Sequence, residues 1–536
     1  MNRLLLVLTV VAVAWTSSCS GGSSTPPPPP TGGFNNASLK GTYVFAMTGT
    51  TLDTTFGTSS FSKVGTFIAD GLGDIATTGA IEDVHIFGVD QPFAINGGNY
   101  TVGGDGRGTL SLIEGSTTVQ YSIALASSNS GYMVDMAAGT TNPDTSTASG
   151  SFSLQSSTAL ATGTYAFDFS GIAPDDTGNP ISIVGDFIPT ATGVGTFAAG
   201  SYWDVNEDGN FITKGSISGG GYATDNGNPG TGRGTATIGG LDFVYYVIDG
   251  QHAQFMGIDG DAAAPGTILG EAVAQQAGTP NEVSAFNSSS FVFVMGGTGG
   301  GGPLARAGRL TATGSNLSAI LLDNNNSGTE ITVPKSGVLP AGTVTLDGDG
   351  SGRGTFTFTD TVNNTGTYSF VFYLSSATAG VIQDVSTVLV NGVATAVDVA
   401  DGTLLGQTGA PFSSSSLATA YAFNWSGVSS AEEDFVGAFT PANASPNGLV
   451  DFNEFGANPP KQFLNTPLNG VVTIGGSGAT AGTGSDGQHS TFVAGISGSP
   501  SVTINYFAYI ANPTTILVMG TGSNRIVVGV LTAQTP

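Results

Sequence analysis

Four times along this 536-residue chain, an aromatic pair spaced two residues apart opens the same series of landmarks. A chain of this kind must fold as four diverged copies of one unit of about 125 residues. The pairs are Tyr43 and Phe45, Tyr165 and Phe167, Phe291 and Phe293, and Tyr421 and Phe423, at offsets of 122, 126 and 130 residues. The alternation runs on to Met47, Phe169, Met295 and Trp425, with smaller or more polar residues such as Ala166, Asp168, Ala422 and Asn424 between. Period two places the large side chains on one buried face of a strand. A second strand follows, with Gly65-Thr66-Phe67 matched by Gly185-Asp186-Phe187, Gly308-Arg309-Leu310 and Gly437-Ala438-Phe439. The third landmark is a Gly-Arg-Gly-Thr tetrad at 106–109, 232–235 and 352–355, replaced in the fourth unit by Gln488-His489-Ser490-Thr491.

The rest of the composition supports an all-β fold. Gly (83) and Pro (25) are abundant, charged residues make up only 9%, and past the N-terminal segment no long stretch repeats apolar residues at helical spacing. In the first unit eight strands are predicted to begin near Gly41, Lys63, Gly73, Gly98, Arg107, Thr118, Gly131 and Ala148. Short connections such as Asp70-Gly71-Leu72-Gly73 suit hairpins, because Gly, Asn and Asp tolerate positive φ. Eight strands in an antiparallel meander avoid exposed edges by closing into a small up-and-down barrel. An eight- or nine-stranded sandwich is the alternative. The predicted units are 34–156, 157–280, 281–410 and 411–536, and their short linkers suggest a semi-rigid string.

Residues 1–19 carry a basic Arg3, an apolar run from Leu4 to Ala14 and Cys19, the sole cysteine. The run is too short to span a bilayer. It resembles a bacterial lipoprotein signal, which implies lipidation of Cys19; Thr16 departs from the aliphatic residue usual there, and cleavage after Ala14 is the alternative. Residues 20–33 form a Gly-, Ser- and Pro-rich tether with five consecutive prolines, and Ser20 suits sorting to the outer membrane or cell surface. With one cysteine, no disulfide forms within the chain. A net charge of −26 argues against nucleic acid and anionic membrane surfaces as partners, leaving the lipid anchor as the membrane contact.

The signature Gly-Thr-Tyr-x-Phe, Asp-Gly-x-Gly and Gly-Arg-Gly-Thr resembles that of uncharacterised tandem-repeat secreted proteins of environmental bacteria. The resemblance implies surface or periplasmic placement and carries no activity. The opening strand is also slightly similar to the Gly-x-Trp start of lipocalins, since Gly41 and Gly163 precede their tyrosines.

One acidic turn recurs in every unit as Asp-x-(Asn/His)-x-x-Gly: Asp83, His85 and Gly88; Asp204, Asn206 and Gly209; Asp323, Asn325 and Gly328; Asp451, Asn453 and Gly456. In units two and three the alternation Asp204, Asn206, Asp208 and Asp323, Asn325, Ser327 has the oxygen spacing of a calcium loop. Gly215 stands where an EF-hand needs its closing Glu, so an Asx-turn ending a strand is the other explanation. The stretch Asp347 to Gly352 is oxygen-rich but suits a hairpin tip. The tetrad arginines, Arg107, Arg233 and Arg353, either pair with the repeat aspartates or bind anions at a barrel mouth. Catalysis has little basis: His85, His252 and His489 occupy unequal places, and no nucleophile elbow, zinc helix or phosphate loop is present. Adjacent acids such as Glu432-Glu433 and Asp175-Asp176 are the sole hint of a polysaccharide hydrolase. The sequence therefore suggests a non-enzymatic, lipid-anchored envelope protein with a structural or adhesive role and no cofactor beyond calcium. The alternative is a small-molecule or glycan binder that uses the barrel interiors, if the aromatic stripes line pockets instead of filling cores.

Overall fold

The computed structural model describes residues 33–536 except 54–56, 137–145, 176–177, 218, 229, 261–265, 335–339, 361–365, 391–392, 397, 419, 442–446, 457–460, 475–489, 498–501 and 523–524. The leader, Cys19, residues 20–32 of the tether and His489 lie outside the described residues. Apart from three single-turn 3-10 segments, every element among the described residues is a strand, and the strands pair antiparallel.

Period two in the sequence becomes burial by alternation. Tyr43, Phe45 and Met47 are at most 1% exposed and point into the first unit, where Tyr43 stacks on Phe67. Each unit has its own core of this kind, and aromatic rings fill it. The glycine of the second strand is explained by the same packing. A Cβ at Gly185, Gly308 or Gly437 would lie 2.4, 2.5 and 2.4 Å from Cζ of Phe167, Phe293 and Phe423. The ring of the opening strand lies flat against bare backbone.

Three units close into barrels. In unit one the opening strand, Lys40–Asp53, pairs with both Gly57–Asp70 and the last strand, Ser146–Leu154. In unit three Ser289–Gly299 pairs with Val399–Gly406, and Arg353–Asp360 with Gly366–Ser376 completes the circle. Unit four is a closed barrel of eight strands, sealed by Tyr421–Val428 against Ile526–Ala533. Unit two differs: its ten-stranded sheet is open among the described residues. The short strand Val194–Thr196 pairs with Gly221–Thr224 and takes the edge on which Asn210–Ser216 would close.

The four units do not form the expected string. The outward faces of the first two strands of each unit pack on the later strands of the next unit, so that four apolar clusters join one to two, two to three, three to four and four back to one. The last of these sets Ala422 and Val436 against Ala124, Val134 and Met136. The described chain is a closed ring of four β-units, and its first and last described residues adjoin, since a Cβ on Gly33 would sit 3.8 Å from Cβ of Pro536.

Candidate functional site at the unit interfaces

The recurring acidic turn sits at these interfaces, and its sequence suits the geometry in each position. The fifth and sixth residues of the turn are the two central residues of a hairpin. Asp208 and Gly209 have φ of 42° and 87°, and Ser327 and Gly328 have 50° and 88°. Both positive is the signature of a type I′ turn, which explains the Gly and the small polar residue before it. Upstream, the Asp and Asn are two apart on a strand, so both point the same way, toward the next unit.

Each Asp receives donors from that next unit. Asp83 accepts from Arg233 Nη2 and Nε at 2.6 and 2.7 Å and from the Tyr246 hydroxyl at 2.6 Å. Asp204 accepts from Arg353 Nη2 and Nε at 2.8 and 2.7 Å and from Tyr373 at 2.7 Å. Asp323 accepts from Tyr509 of unit four at 2.5 Å and from Thr332 at 2.6 Å; His489, which aligns with the tetrad arginines, is among the residues not described. Asp451 of unit four meets Arg107 of unit one at 3.4 Å, and Arg107 Nη2 donates to Asn465 at 2.6 Å. Tyr246 and Tyr373 have pKa values well above the usual, first through burial and then through the neighbouring carboxylate, so both stay protonated donors.

The Asn of the turn bridges to the backbone of the same neighbour. Asn206 Nδ2 donates to the carbonyls of Asp384 and Asp398, Asn325 to Gly520 and Gly522, and Asn453 to Asp135 and Ser146. Asn206 and Asn325 also accept from the N–H of Gly209 and Gly328, which fixes the amide. In unit one His85 takes this place and faces Gly266, its pKa lowered by burial, so the ring is neutral.

A second fourfold contact was missed at the sequence level. The glutamine just past the last strand of each unit donates Nε2 to backbone carbonyls of the next: Gln155 to Thr231 and Val247, Gln275 to Ser351 and Leu374, Gln407 to Ile510, and Gln534 to Asp105 and Leu125. The following N–H repeats the step, from Ser156 to Ile248, Gln276 to Ser375, Thr408 to Ala511 and Thr535 to Ala126. The tetrad is thereby explained residue by residue. Its first Gly has φ of 70–80° and lets the Gln of the preceding unit approach, its Arg takes that unit's Asp, and its second Gly in units two and three lies against Tyr245 and Phe372. The signal available was the recurrence of Gln at 155, 275, 407 and 534.

The six residues of the calcium-loop expectation are therefore divided between two environments. Asp204, Asn206, Asp323 and Asn325 are at most 2% exposed and spend their side-chain oxygens on protein donors, whereas Asp208 and Ser327 stand exposed at hairpin tips. Among the described residues no three Asp, Glu, His or Cys side chains gather so as to hold a metal ion. Asp347 and Asp349 take Lys214 of unit two at 2.7 and 2.8 Å, another contact between units. Of the acids considered for hydrolysis, Glu433 is bound by Arg525 Nη2 at 2.7 Å and Glu432 by Thr50 of unit one.

Charged clusters inside the barrels were also missed. Lys63 sits on the inward phase of its strand, between Phe61 and Phe67, and bonds Glu114 at 2.8 Å beside Tyr121, with Glu82 and Asp135 nearby. Burial pushes the Lys63 ammonium down, but the Glu82, Glu114 and Asp135 carboxyls outweigh it and hold it above its ordinary value. Glu82, fully buried, is pushed well up by that burial, and Asp135 to about 6. A cavity of about 350 Å³ lined by Lys63, Val84, Gln120 and Asp135 opens beside this cluster. In unit three the equivalent inward cation is Arg306, bound to Asp384 and Asp398.

No protein-family model and no curated protein matches the chain. Among solved structures, kievitone hydratase from Nectria haematococca aligns over 48% of this chain and 93% of its own, at 8% identity and a TM-score of 0.21. A mutant of the vaccine antigen transferrin binding protein B from Haemophilus parasuis aligns over 68% and 76%, at 10% identity and 0.19. A putative AttH from Nitrosomonas europaea covers 68% and 92%, at 10% identity and 0.13. Scores this low carry no argument about function.

Proposed function

We propose that this chain is a non-catalytic envelope protein: a rigid ring of β-units, exported and held by a lipidated Cys19 at the cell surface, with a structural or adhesive role. The observation that carries it is the use made of the repeated polar residues. Asp, Asn, Arg and Gln recur at fixed places, and the described ones serve the joints between units, leaving no repeated group for chemistry. Buried, mutually satisfied charge of this sort specifies one arrangement more than it adds stability. The same logic bears on how 38 acidic residues against 12 basic ones are tolerated, since Arg107, Arg233, Arg306, Arg353 and Arg525 sit where carboxylates are buried. The test is a strain lacking the protein, compared with its parent for surface attachment and envelope integrity, with a Cys19→Ala strain beside it. Loss of attachment or integrity in both is the expected result, and an unchanged deletion strain refutes the role.

One observation favours a second reading, a small-molecule or glycan binder. The cavity in unit one is lined by Lys63 and Asp135 and lies beside the buried Glu82 and Glu114 carboxyls. Mass spectrometry of molecules released from the purified protein separates the two. An empty preparation leaves the structural role standing.

A further inference from the structure

Closing the ring creates a space that belongs to no single unit. Where the four opening strands converge, two cavities of about 630 and 370 Å³ lie end to end. All four units line each of them, and they share Thr48, Ser170 and Asp401 as a common waist. The larger lies within the ~300–1,000 Å³ that accommodates a small organic ligand. Its walls are mainly apolar, including Ile181, Val294, Leu405, Val528 and Val530.

The waist is acidic. Asp168 of unit two and Asp401 of unit three are in hydrogen-bonding contact there, and Ser170 and Ser182 donate to Asp401. Asp168 Oδ1 has no partner meeting hydrogen-bond geometry among the described residues. Glu271 stands on the side of the smaller cavity and is held by His252 at 3.0 Å. Among the described residues no lysine, arginine or histidine lines either cavity. The repeat aspartates of the joints meet arginine or tyrosine, whereas here, as at Glu432 and Asp434, two carboxyls face each other with hydroxyls as their donors. Burial first, and then repulsion by the Asp401 carboxylate, raise the pKa of Asp168 well above the usual, and a cation placed between the two carboxyls relieves that repulsion.

We propose that the ring axis is a binding site for an organic monocation, an amine carried on an apolar body. The ammonium sits at the Asp168–Asp401 waist and the apolar part lies along Val294, Leu405 and Val528. Apolar walls ending in a carboxyl pair match that chemistry, whereas a metal ion would leave the walls unused. This site lies between the barrels, not within one, and does not depend on the envelope role.

The test is isothermal titration of the purified chain, residues 34–536, with decylamine, decanol and decanoate below their micellar concentrations. Decylamine is expected to bind once per chain, at least about tenfold more tightly than decanol, as a charge-assisted hydrogen bond requires, and decanoate not at all. Asp168→Asn with Asp401→Asn should bring decylamine down to the affinity of decanol. Gly296→Leu should abolish both, because its side chain enters the larger cavity against Val528, 3.2 Å from the position of a Cβ. Equal binding of the three probes, or no binding, overturns the proposal. Should the variants not fold, a photoreactive decylamine on the unaltered protein decides: labelling of the peptides holding Val294, Leu405 and Val528 supports the site, and labelling elsewhere refutes it.

Discussion

Removing one side of the joint between units two and three should be costly in a way that only a buried, paired charge explains. Asp204 is 2% exposed and holds both Arg353 nitrogens and the Tyr373 hydroxyl, at 2.7–2.8 Å. In Asp204→Ala the guanidinium of Arg353, itself 6% exposed, keeps only Asp347 at 3.1 Å, and the Tyr373 hydroxyl loses its acceptor. Breaking a buried pair from one side costs about 3–5 kcal/mol. Arg353→Ala leaves the Asp204 carboxylate with Tyr373 and the Lys214 N–H, and falls in the same range. The double variant should be less destabilised than the sum, by a coupling of about 1.5 kcal/mol or more. The assay is urea unfolding followed by far-ultraviolet circular dichroism and tryptophan fluorescence, with Asp208→Asn, which tolerates the positive φ of that exposed tip, as the control within about 0.5 kcal/mol of the parent. Single variants that lose under 1 kcal/mol, or a double variant equal to the sum, would refute the latch as an energetic unit.

Thermal unfolding in EDTA and in millimolar calcium should coincide, because the turn oxygens are engaged by protein donors; an upward shift in calcium that disappears in Asp204→Ala restores the ion-site reading. Stability should fall as pH rises from about 4 to 8. Burial holds the Asp186 carboxyl up at about 8 and Asp434 at about 6, so the folded state keeps protons that the unfolded chain has released. The urea midpoint measured across that range should slope downward, by at most about 1.4 kcal/mol per pH unit for each group, and Asp186→Asn should flatten it; a rising profile contradicts the assignment. Gly437→Ala should cost about 1–3 kcal/mol by driving a methyl into the Phe423 ring, and a neutral result in calorimetry would show that the ring has room to move.

The repeat and the all-β class were legible because they depend on local rules: alternation for Tyr43, Phe45 and Met47, and bare glycine where a ring lies flat. The pairing of tetrad arginines with repeat aspartates was legible as chemistry, but not its direction. Nothing near Arg353 in sequence distinguishes the aspartate of its own unit, Asp323, from that of the preceding one, Asp204. Ring closure was hidden for the same reason, since the joints bury small outward residues such as Ala124, Ala166 and Ala422, which alone read as ordinary solvent-side positions. The charge clusters had a readable sign, a lysine or arginine on the apolar phase at Lys63 and Arg306, yet burial of such groups follows from partners on strands far away. The open sheet of unit two depends on a three-residue strand, Val194–Thr196, too short to stand out from its Gly- and Thr-rich surroundings.

A closed ring makes a prediction that a string does not. Three of its four joints are backed by the covalent chain, and the joint between units four and one is held only by contacts such as Arg107 with Asn465, Asn453 with Asp135 and Gln534 with Asp105. A joint backed by the chain keeps its partners at high effective concentration when a latch is removed, whereas the unbacked one can swing open. Gln534→Ala with Asn453→Ala should therefore enlarge the radius of gyration in small-angle scattering, and Gln275→Ala with Asn206→Ala should not. Because Gly33 and Pro536 adjoin, a short linker can join them once residues 1–32 are removed, and new termini can be cut between the exposed residues Ala277 and Gly278. In that circular permutant the vulnerable joint moves to units two and three, so the two variant pairs should exchange their effects. If both pairs behave the same in either connectivity, the units act independently and the ring is not what the latches hold.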